Sequence, residues 1–297
     1  MKRKIIVGSR ESKLAVVQSM EVAEHLRKVL PEAEIQLLTM KTAGDRILDR
    51  TLDQIGGKGL FVRELDKALR DKAADLTVHS LKDMPAELPE DLPLVGWSRR
   101  ADPRDVLVLP KGRTEPDPSL PIGTASFRRR IQLEALYPGF AVRPVRGNVQ
   151  TRLRKLDEGE YGALVLAAAG LKRMGLEDRI SRYFTVDEII PAVGQGVLAV
   201  QGRRGEDHNY LNGYTDEASA WAVRCERAFI RELNGGCSSP VCAYAEVTDG
   251  TILLRGLYYD ERTGAIRKGR LSGPVNQAEA LGVQLARALR DNREVEP

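Results

Sequence analysis

The chain has 297 residues, enough for two or three domains, and its 42% hydrophobic and 30% charged content is that of an ordinary globular protein. No run approaches the ~18–20 apolar residues that cross a membrane. Arg10, Glu11 and Lys13 interrupt the N-terminal stretch, so no signal peptide is read there. Three cysteines build no disulfide framework, which makes a cytoplasmic location the expectation, and the scattered His25, His79 and His208 argue against a histidine metal site.

The net charge of +4 hides an asymmetry. Between Ile122 and Arg182, 12 Lys/Arg stand against 6 Asp/Glu, a net of +6 that leaves the remainder of the chain at −2. Arginine outnumbers lysine by 33 to 13. Its planar fork suits carboxylates and phosphates, so an anionic partner is expected.

In chain order, "KIIVG" reads as a strand, followed by a short "SRES" turn and a helix over 13–30. Ala15, Val22, Leu26 and Val29 recur at helical spacing along it. "EIQLLTM" is the next strand. "GLFVRELDKALR" places Phe61, Leu65 and Ala68 on one helical face, and "ADLTVHS" is a strand that ends in a polar loop. This alternation predicts a parallel α/β unit.

A second unit begins near Asp102 with the same alternation. "LPIGTAS" leads into the helix "FRRRIQLEALYP", and the strand "AVRPVRG", the helix "NVQTRLRKLDEG" and the strand "ALVLA" follow. "VGSR" and "IGTA" take equivalent strand-to-helix turns. A third unit starts near Glu217, with a long helix stopped by Gly235 and Gly236, the strands "PVCAYAEV" and "TILLRGLYY", and a final helix over 277–290.

Ligands of open α/β domains bind beyond the carboxyl ends of the strands, and three polar clusters fall there. In "GSRES", Arg10 and Ser12 open a helix, where Ser12 either caps the helix or helps to hold an anion. In "HSLKDMP", Lys82 and Asp83 leave the strand together, as a solvated loop or as an acid/base pair. The third cluster is the series Arg128, Arg129, Arg130, Arg143, Arg146, Arg152 and Arg154. Consecutive arginines on one helix diverge, so no more than two of the first three face one ligand. Aromatic residues are only 5%, too few to stack bases along these arginines, which favours a small polyanion over nucleic acid. "GGKG" around Lys58 has neither phosphate-loop nor dinucleotide spacing. Cys225 shares a helical face with Trp221 and Phe229, and Cys242 alternates within a strand, so both read as structural. Cys237 follows a glycine stop, and its residue pattern leaves a reactive role and a passive one both open.

The motifs "GSRESKLA", "GGKGLF", "HSLKDMP", "GTASFRRR", "VRGNVQTRL", "LAAAGLKRMG", "PAVGQG" and "ERAFIRELNGGCSSP" run nearly end to end, and the set resembles the hydroxymethylbilane synthase (porphobilinogen deaminase) family. The resemblance implies a transferase that condenses four porphobilinogen molecules head to tail into 1-hydroxymethylbilane with release of four ammonia. It implies a dipyrromethane cofactor, joined by a thioether to the residue matching Cys237, and a catalytic aspartate matching Asp83 beside Lys82. Arg128, Arg129 and Arg146, with Ser12, Lys82 and Asp83, match cofactor-binding positions. Arg10, Ser12, Gln18, Lys58, Arg146, Arg152 and Arg173 match substrate-carboxylate positions. The implied fold is two periplasmic-binding-protein-like domains plus a small third α/β domain. Domain 1 spans 1–100 and 191–212, domain 2 spans 101–190, and domain 3, with the cofactor cysteine, spans 213–297.

The resemblance also implies a monomer, no nucleic acid, no membrane and no metal, with product passed to uroporphyrinogen-III synthase. Asp83 is taken as the only clustered carboxylate at a suitable strand end. Asn234 departs from the acidic residue usual in the family, and Cys242 brings a second thiol near the attachment site, open to misoxidation. An anion-binding protein without catalysis and a cysteine hydrolase are the rival readings. The Asp83/Cys237 pair speaks against the first, and the lack of a histidine partner for Cys237 speaks against the second.

Overall fold

The computed structural model describes residues 3–46, 62–235 and 240–293, organised around two five-stranded sheets and one three-stranded sheet. In the first sheet, β1 (Lys4–Arg10) pairs in parallel with β2 (Glu34–Met40) and β3 (Leu76–Ser80). Helices α1 (Lys13–Val29), α2 (Ala43–Arg46) and α3 (Arg63–Arg70) fall between these strands in the chain, and β4 (Leu94–Trp97) closes the run. Ala15, Val22 and Leu26 of α1 and Leu65 and Ala68 of α3 are buried as their spacing requires. Val29 is not, at 44% exposed, because it is the last residue of its helix. Phe61 lies outside the described residues.

The expected all-parallel sheet is corrected to a mixed one. The order is β2–β1–β3–β10–β4, and β10 (Leu198–Gln201) runs antiparallel to β3 and β4. The second sheet repeats the pattern as β7–β6–β8–β5–β9. There β6 (Ile122–Gly123) is parallel to β7 (Val142–Arg143) and β8 (Ala163–Ala167), whereas β5 (Asp105–Val108) is antiparallel to β8 and β9 (Arg182–Tyr183). The cause is a pair of chain crossings. Residues 98–104 lead from β4 into β5 of the other sheet, and residues 184–197 lead from β9 back into β10. Each crossing strand enters from the far side and so runs against its neighbours.

Helix α4 (Phe127–Leu136) is capped by Ser126 and α1 by Ser12, so the two units share a serine-capped helix after their first strand. The "VGSR" segment itself remains in β1; the turn is at residues 11–12. Helices α5 (Val149–Asp157) and α6 (Ala168–Arg173) complete the second unit.

The third sheet, β11–β12–β13, is an antiparallel meander of Cys242–Thr248, Thr251–Asp260 and Ala265–Pro274, covered by α7 (Glu217–Glu232) and α8 (Ala278–Arg290). β13 is absent from the sequence reading because its charged, half-exposed pattern is that of an edge strand, with little apolar signal. The two helices meet closely: a Cβ at Gly282 would lie 2.3 Å from the Cys225 carbonyl oxygen. Cys225 is wholly buried beside Phe229 and Leu285. Cys242, Tyr244 and Leu257 form an apolar cluster with Ile131 of α4 and Ile190 of the second crossing. This cluster seats the third unit on the second.

One buried carboxylate ties the third unit to both crossings. Glu226 on α7, fully buried, pairs with Arg100 Nη2 at 2.7 Å. It also accepts from the backbone N–H groups of Gly194 at 2.7 Å and Ala245 at 2.8 Å. Glu226→Gln would leave the Arg100 charge buried without a counter-ion. Breaking a buried pair on one side costs about 3–5 kcal/mol, and that loss is expected in the unfolding free energy from urea denaturation. A loss below about 1 kcal/mol, the worth of an exposed pair, would refute the tie.

Candidate active site

Strand β3 ends at Ser80, and the expected polar loop after it is a single 3₁₀ turn, Leu81–Asp83. Leu81 and Met84, both buried, pin the turn at its two ends. The Leu81 N–H also donates to Val197 O at 3.0 Å. Lys82 and Asp83 therefore stand on a fixed platform at the carboxyl end of β3, the middle strand of the first sheet. Buried Gln18 of α1 braces the same strand end, its Nε2 donating to Ser80 Oγ at 2.8 Å. Ser12 acts as the helix cap, accepting from Ala15 N at 3.4 Å. Arg10, half-buried at the end of β1, lies close enough to depress the His79 pKa, which burial chiefly drives down to about 4.

The opposite wall rests on a residue the sequence reading missed. Asp105, fully buried, accepts from Arg128 Nη1 at 2.7 Å, from Arg129 Nη2 at 2.7 Å and Nε at 3.1 Å, and from Gln195 Nε2 at 2.9 Å. Burial alone would raise its pKa, but Arg128 and Arg129 together hold the carboxyl well below the usual range. Asp83 is thus not the only carboxylate at the sheet edge. Asp105 is the first residue of β5, and because that strand is antiparallel its start lies level with Ala167, the end of β8. Arg128 and Arg129 lie in the first turn of α4 and converge on this one group, while Arg130 is exposed and stacks over the Phe127 ring.

Further charges join from α5 and the turn before it. Gly147 adopts φ +110, and Asn148 caps the helix by accepting from Thr151 N at 2.9 Å. Arg152 Nε donates back to Gly147 O at 2.8 Å. Burial, then repulsion by Arg129 and Arg146, lowers the Arg152 pKa to about 10, partly offset by Asp83. Burial also takes Lys82 down to about 8; Asp83 and Asp105 oppose that shift, and Arg129 and Arg128 add to it. The structure thus brings Lys82, Asp83, Arg128, Arg129, Arg146 and Arg152 into one electrostatic group with Asp105. Among the described residues, five cations face two carboxylates there.

Arg173 is not in that group. It donates from Nε to Glu21 Oε1 at 2.9 Å and from Nη2 to Gly196 O at 3.1 Å, bridging α6 to α1 and the second crossing. Lys58 and Cys237 lie outside the described residues. The approach to Cys237 is described as far as Gly235, and it corrects the glycine stop: Asn234, at φ +51, is the left-handed residue that ends α7. Gly235 N then closes on Ile230 O at 2.8 Å. An open recess is lined by Lys82 and Met84 from the first unit, Ser126 and Arg128 from the second, and Ile230 and Val241 from the third. Cys242 is a free, fully buried thiol pushed up to about 12 by burial, so it is a poor thiolate and the expected misoxidation hazard is not supported.

A buried excess of cations calls for a ligand with several carboxylates, and a carboxylate on a rigid turn beside them calls for proton transfer. Together they define a multidomain enzyme acting on a small polyanion. Residues 5–211 match the family model "Porphobilinogen deaminase, dipyromethane cofactor binding domain", and residues 220–291 match "Porphobilinogen deaminase, C-terminal domain". The porphobilinogen deaminase of Acetivibrio thermocellus is 57% identical, covering 95% of this chain and 97% of its own. That of Alkaliphilus oremlandii is 56% identical over 98% of each. That of Ruminiclostridium cellulolyticum is 53% identical over 99% of this chain and 100% of its own. The chain belongs to the porphobilinogen deaminase family. It condenses four porphobilinogen molecules into 1-hydroxymethylbilane with loss of four ammonia, using a dipyrromethane cofactor. Its fold is the family's two periplasmic-binding-like units and a smaller third.

The chemistry of the residues lining the recess suits that cofactor. Met84, Ile230 and Val241 offer apolar surface to a pyrrole ring, and Lys82 and Arg128 beside them offer positive charge to its acetate and propionate groups. Arg128 lines the recess, and its buried Nε has no hydrogen-bond acceptor among the described residues. In the chain freed of cofactor, Lys82 should lose its proton near pH 8, read from its Nζ resonance by NMR. The unfolded lysine keeps its proton to about 10.5, so the cofactor-free fold should gain stability as pH rises from about 8 toward that value. Loading the cofactor should move the Lys82 titration upward. A midpoint of about 10.5 without cofactor, or no movement on loading, would contradict this electrostatic picture.

Proposed function

We propose that Cys237 anchors the dipyrromethane by a thioether and that Asp83 performs the proton transfer, while Lys82, Arg128, Arg129, Arg146 and Arg152 hold the carboxylates of cofactor and substrate. The observation that carries this reading is that, among the described residues, five buried or half-buried cations gather around the two carboxylates Asp83 and Asp105. The bound cofactor supplies the pyrrole carbon to which the next ring is joined. Asp83 holds a proton at the departing amine nitrogen of porphobilinogen and then, as a carboxylate, stands against the positive charge left on the substrate ring. Lys82 beside it accepts a substrate carboxylate. Arg10 and Ser12 at the head of α1, Gln18 behind them, Lys58, and Arg173 at the junction of α1 with α6 serve the incoming rings.

In this reading the chain divides into domain 1 (1–100 and 191–212), domain 2 (101–190) and domain 3 (213–297). The protein works in the cytoplasm as a monomer and passes its product to uroporphyrinogen-III synthase. The pairing of β10 with β3 and β4 supports a discontinuous first domain.

Intact-mass spectrometry tests the anchor and the catalyst together. The purified chain should carry a two-ring adduct that Cys237→Ser lacks. Asp83→Asn loaded with preassembled cofactor should keep the adduct and lose about 10²–10⁴-fold in kcat, the usual worth of a positioned acid/base. An adduct on Cys237→Ser, or full turnover by Asp83→Asn, would reject the corresponding role.

A further inference from the structure

The second crossing touches both walls of the site within three residues. Gly194 and Gly196 adopt φ +70 and +90, conformations open chiefly to glycine. A Cβ at Gly194 would stand 2.6 Å from Leu81 Cγ, so the crossing packs directly beneath the turn that carries Lys82 and Asp83. A Cβ at Gly196 would meet Ala101 O at 2.5 Å, which fixes its contact with the first crossing.

Between the two glycines, Gln195 is 1% exposed. Its Nε2 donates to Pro103 O at 2.6 Å and to Asp105 Oδ1 at 2.9 Å, while its backbone carbonyl accepts from Arg100 Nη1 at 2.9 Å. Its Oε1 is buried with no partner among the described residues. The donor half of the carboxamide is therefore the half in use, directed at the carboxylate under the arginine pair. The two guanidinium groups hold one carboxylate oxygen each, and Gln195 adds a third donor group, from the crossing, on the oxygen that Arg129 holds. A neutral amide does this without adding to the surplus of positive charge, as a lysine or arginine there would.

We propose that Gln195 is a positioning residue. It fixes Asp105, and through it Arg128 and Arg129, at a set distance from the Asp83 turn that rests on Gly194. The proposal builds on the roles assigned above to Asp83 and the arginines. It extends them to a residue that lines neither wall and touches no substrate.

The test is Gln195→Leu in the cofactor-loaded full chain, with Arg203→Met as a control. Arg203 caps α3 through Leu69 O and Ala74 O, so its loss weakens the fold away from the site. With activity normalised to folded, adduct-bearing enzyme, Gln195→Leu should lower kcat about 10- to 100-fold, because misplacement on the ångström scale costs that much. KM should stay within about threefold, since Lys82, Arg146 and Arg152 still bind carboxylates. Arg203→Met should lower the melting temperature and leave kcat unchanged.

A merely structural Gln195 would behave like the control. A kcat within about twofold of the parent in folded Gln195→Leu would overturn the proposal. Should that variant not fold, Gln195→Glu, of the same size but repelling Asp105, must show the same loss of kcat or the proposal falls. The adduct mass is read separately, so failure of the Cys237 anchor shows as a missing adduct, whereas failure of Gln195 shows as unchanged kcat.

Discussion

Burying a charge is expensive unless something opposite stands beside it, and among the described residues this cleft buries or half-buries Lys82, Arg128, Arg129, Arg146 and Arg152 around two carboxylates, Asp83 and Asp105. Asp105 neutralises one of the two arginines that grip it. The pKa values of Arg152 and Lys82 are depressed first by burial and then by the like charges beside them. Such an arrangement is complete only with a ligand that brings several negative charges of its own. A pyrrole chain with two carboxylates on every ring is a ligand of that kind, and the recess sets apolar side chains beside its cations.

Topology decides where these charges stand. Because β5 and β10 cross from one unit to the other and run against their neighbours, their first residues lie level with the last residues of β8 and β3. Asp105 thereby reaches the edge where Arg128, Lys82 and Asp83 gather. Both crossings are held to the third unit through Arg100 and Glu226. The unit whose chain continues to Cys237 is thus fixed to the same two segments that set the opposing walls.

How much of this was legible in the sequence follows from the same physics. Lys82, Asp83 and the arginines of 128–152 stood out because helix starts and the ends of parallel strands collect ligand-binding groups, and a strand-helix alternation is easy to read. Asp105 did not, because its role depends on strand direction, which no local pattern encodes; in "RDVLVLP" it reads as the polar start of a buried strand. Gln195 was visible only as part of "PAVGQG", since its partners are 90 and more residues away in the chain. β13 escaped because an edge strand whose middle carries Arg267, Lys268 and Arg270 gives little hydrophobic signal. The ion pair of Arg173 with Glu21, a long-range contact between helices, is likewise something that spacing cannot reveal.

The central claim is that the cleft's own charge is out of balance until an anionic chain occupies it. Arg152→Met, which keeps the stem and removes the charge, tests this most directly when its melting temperature is measured with and without cofactor. In the cofactor-free Cys237→Ala chain the substitution should raise the melting temperature by relieving repulsion from Arg129 and Arg146. In the cofactor-loaded chain it should lower the melting temperature by removing a partner for a carboxylate. The same change in both backgrounds would contradict the account.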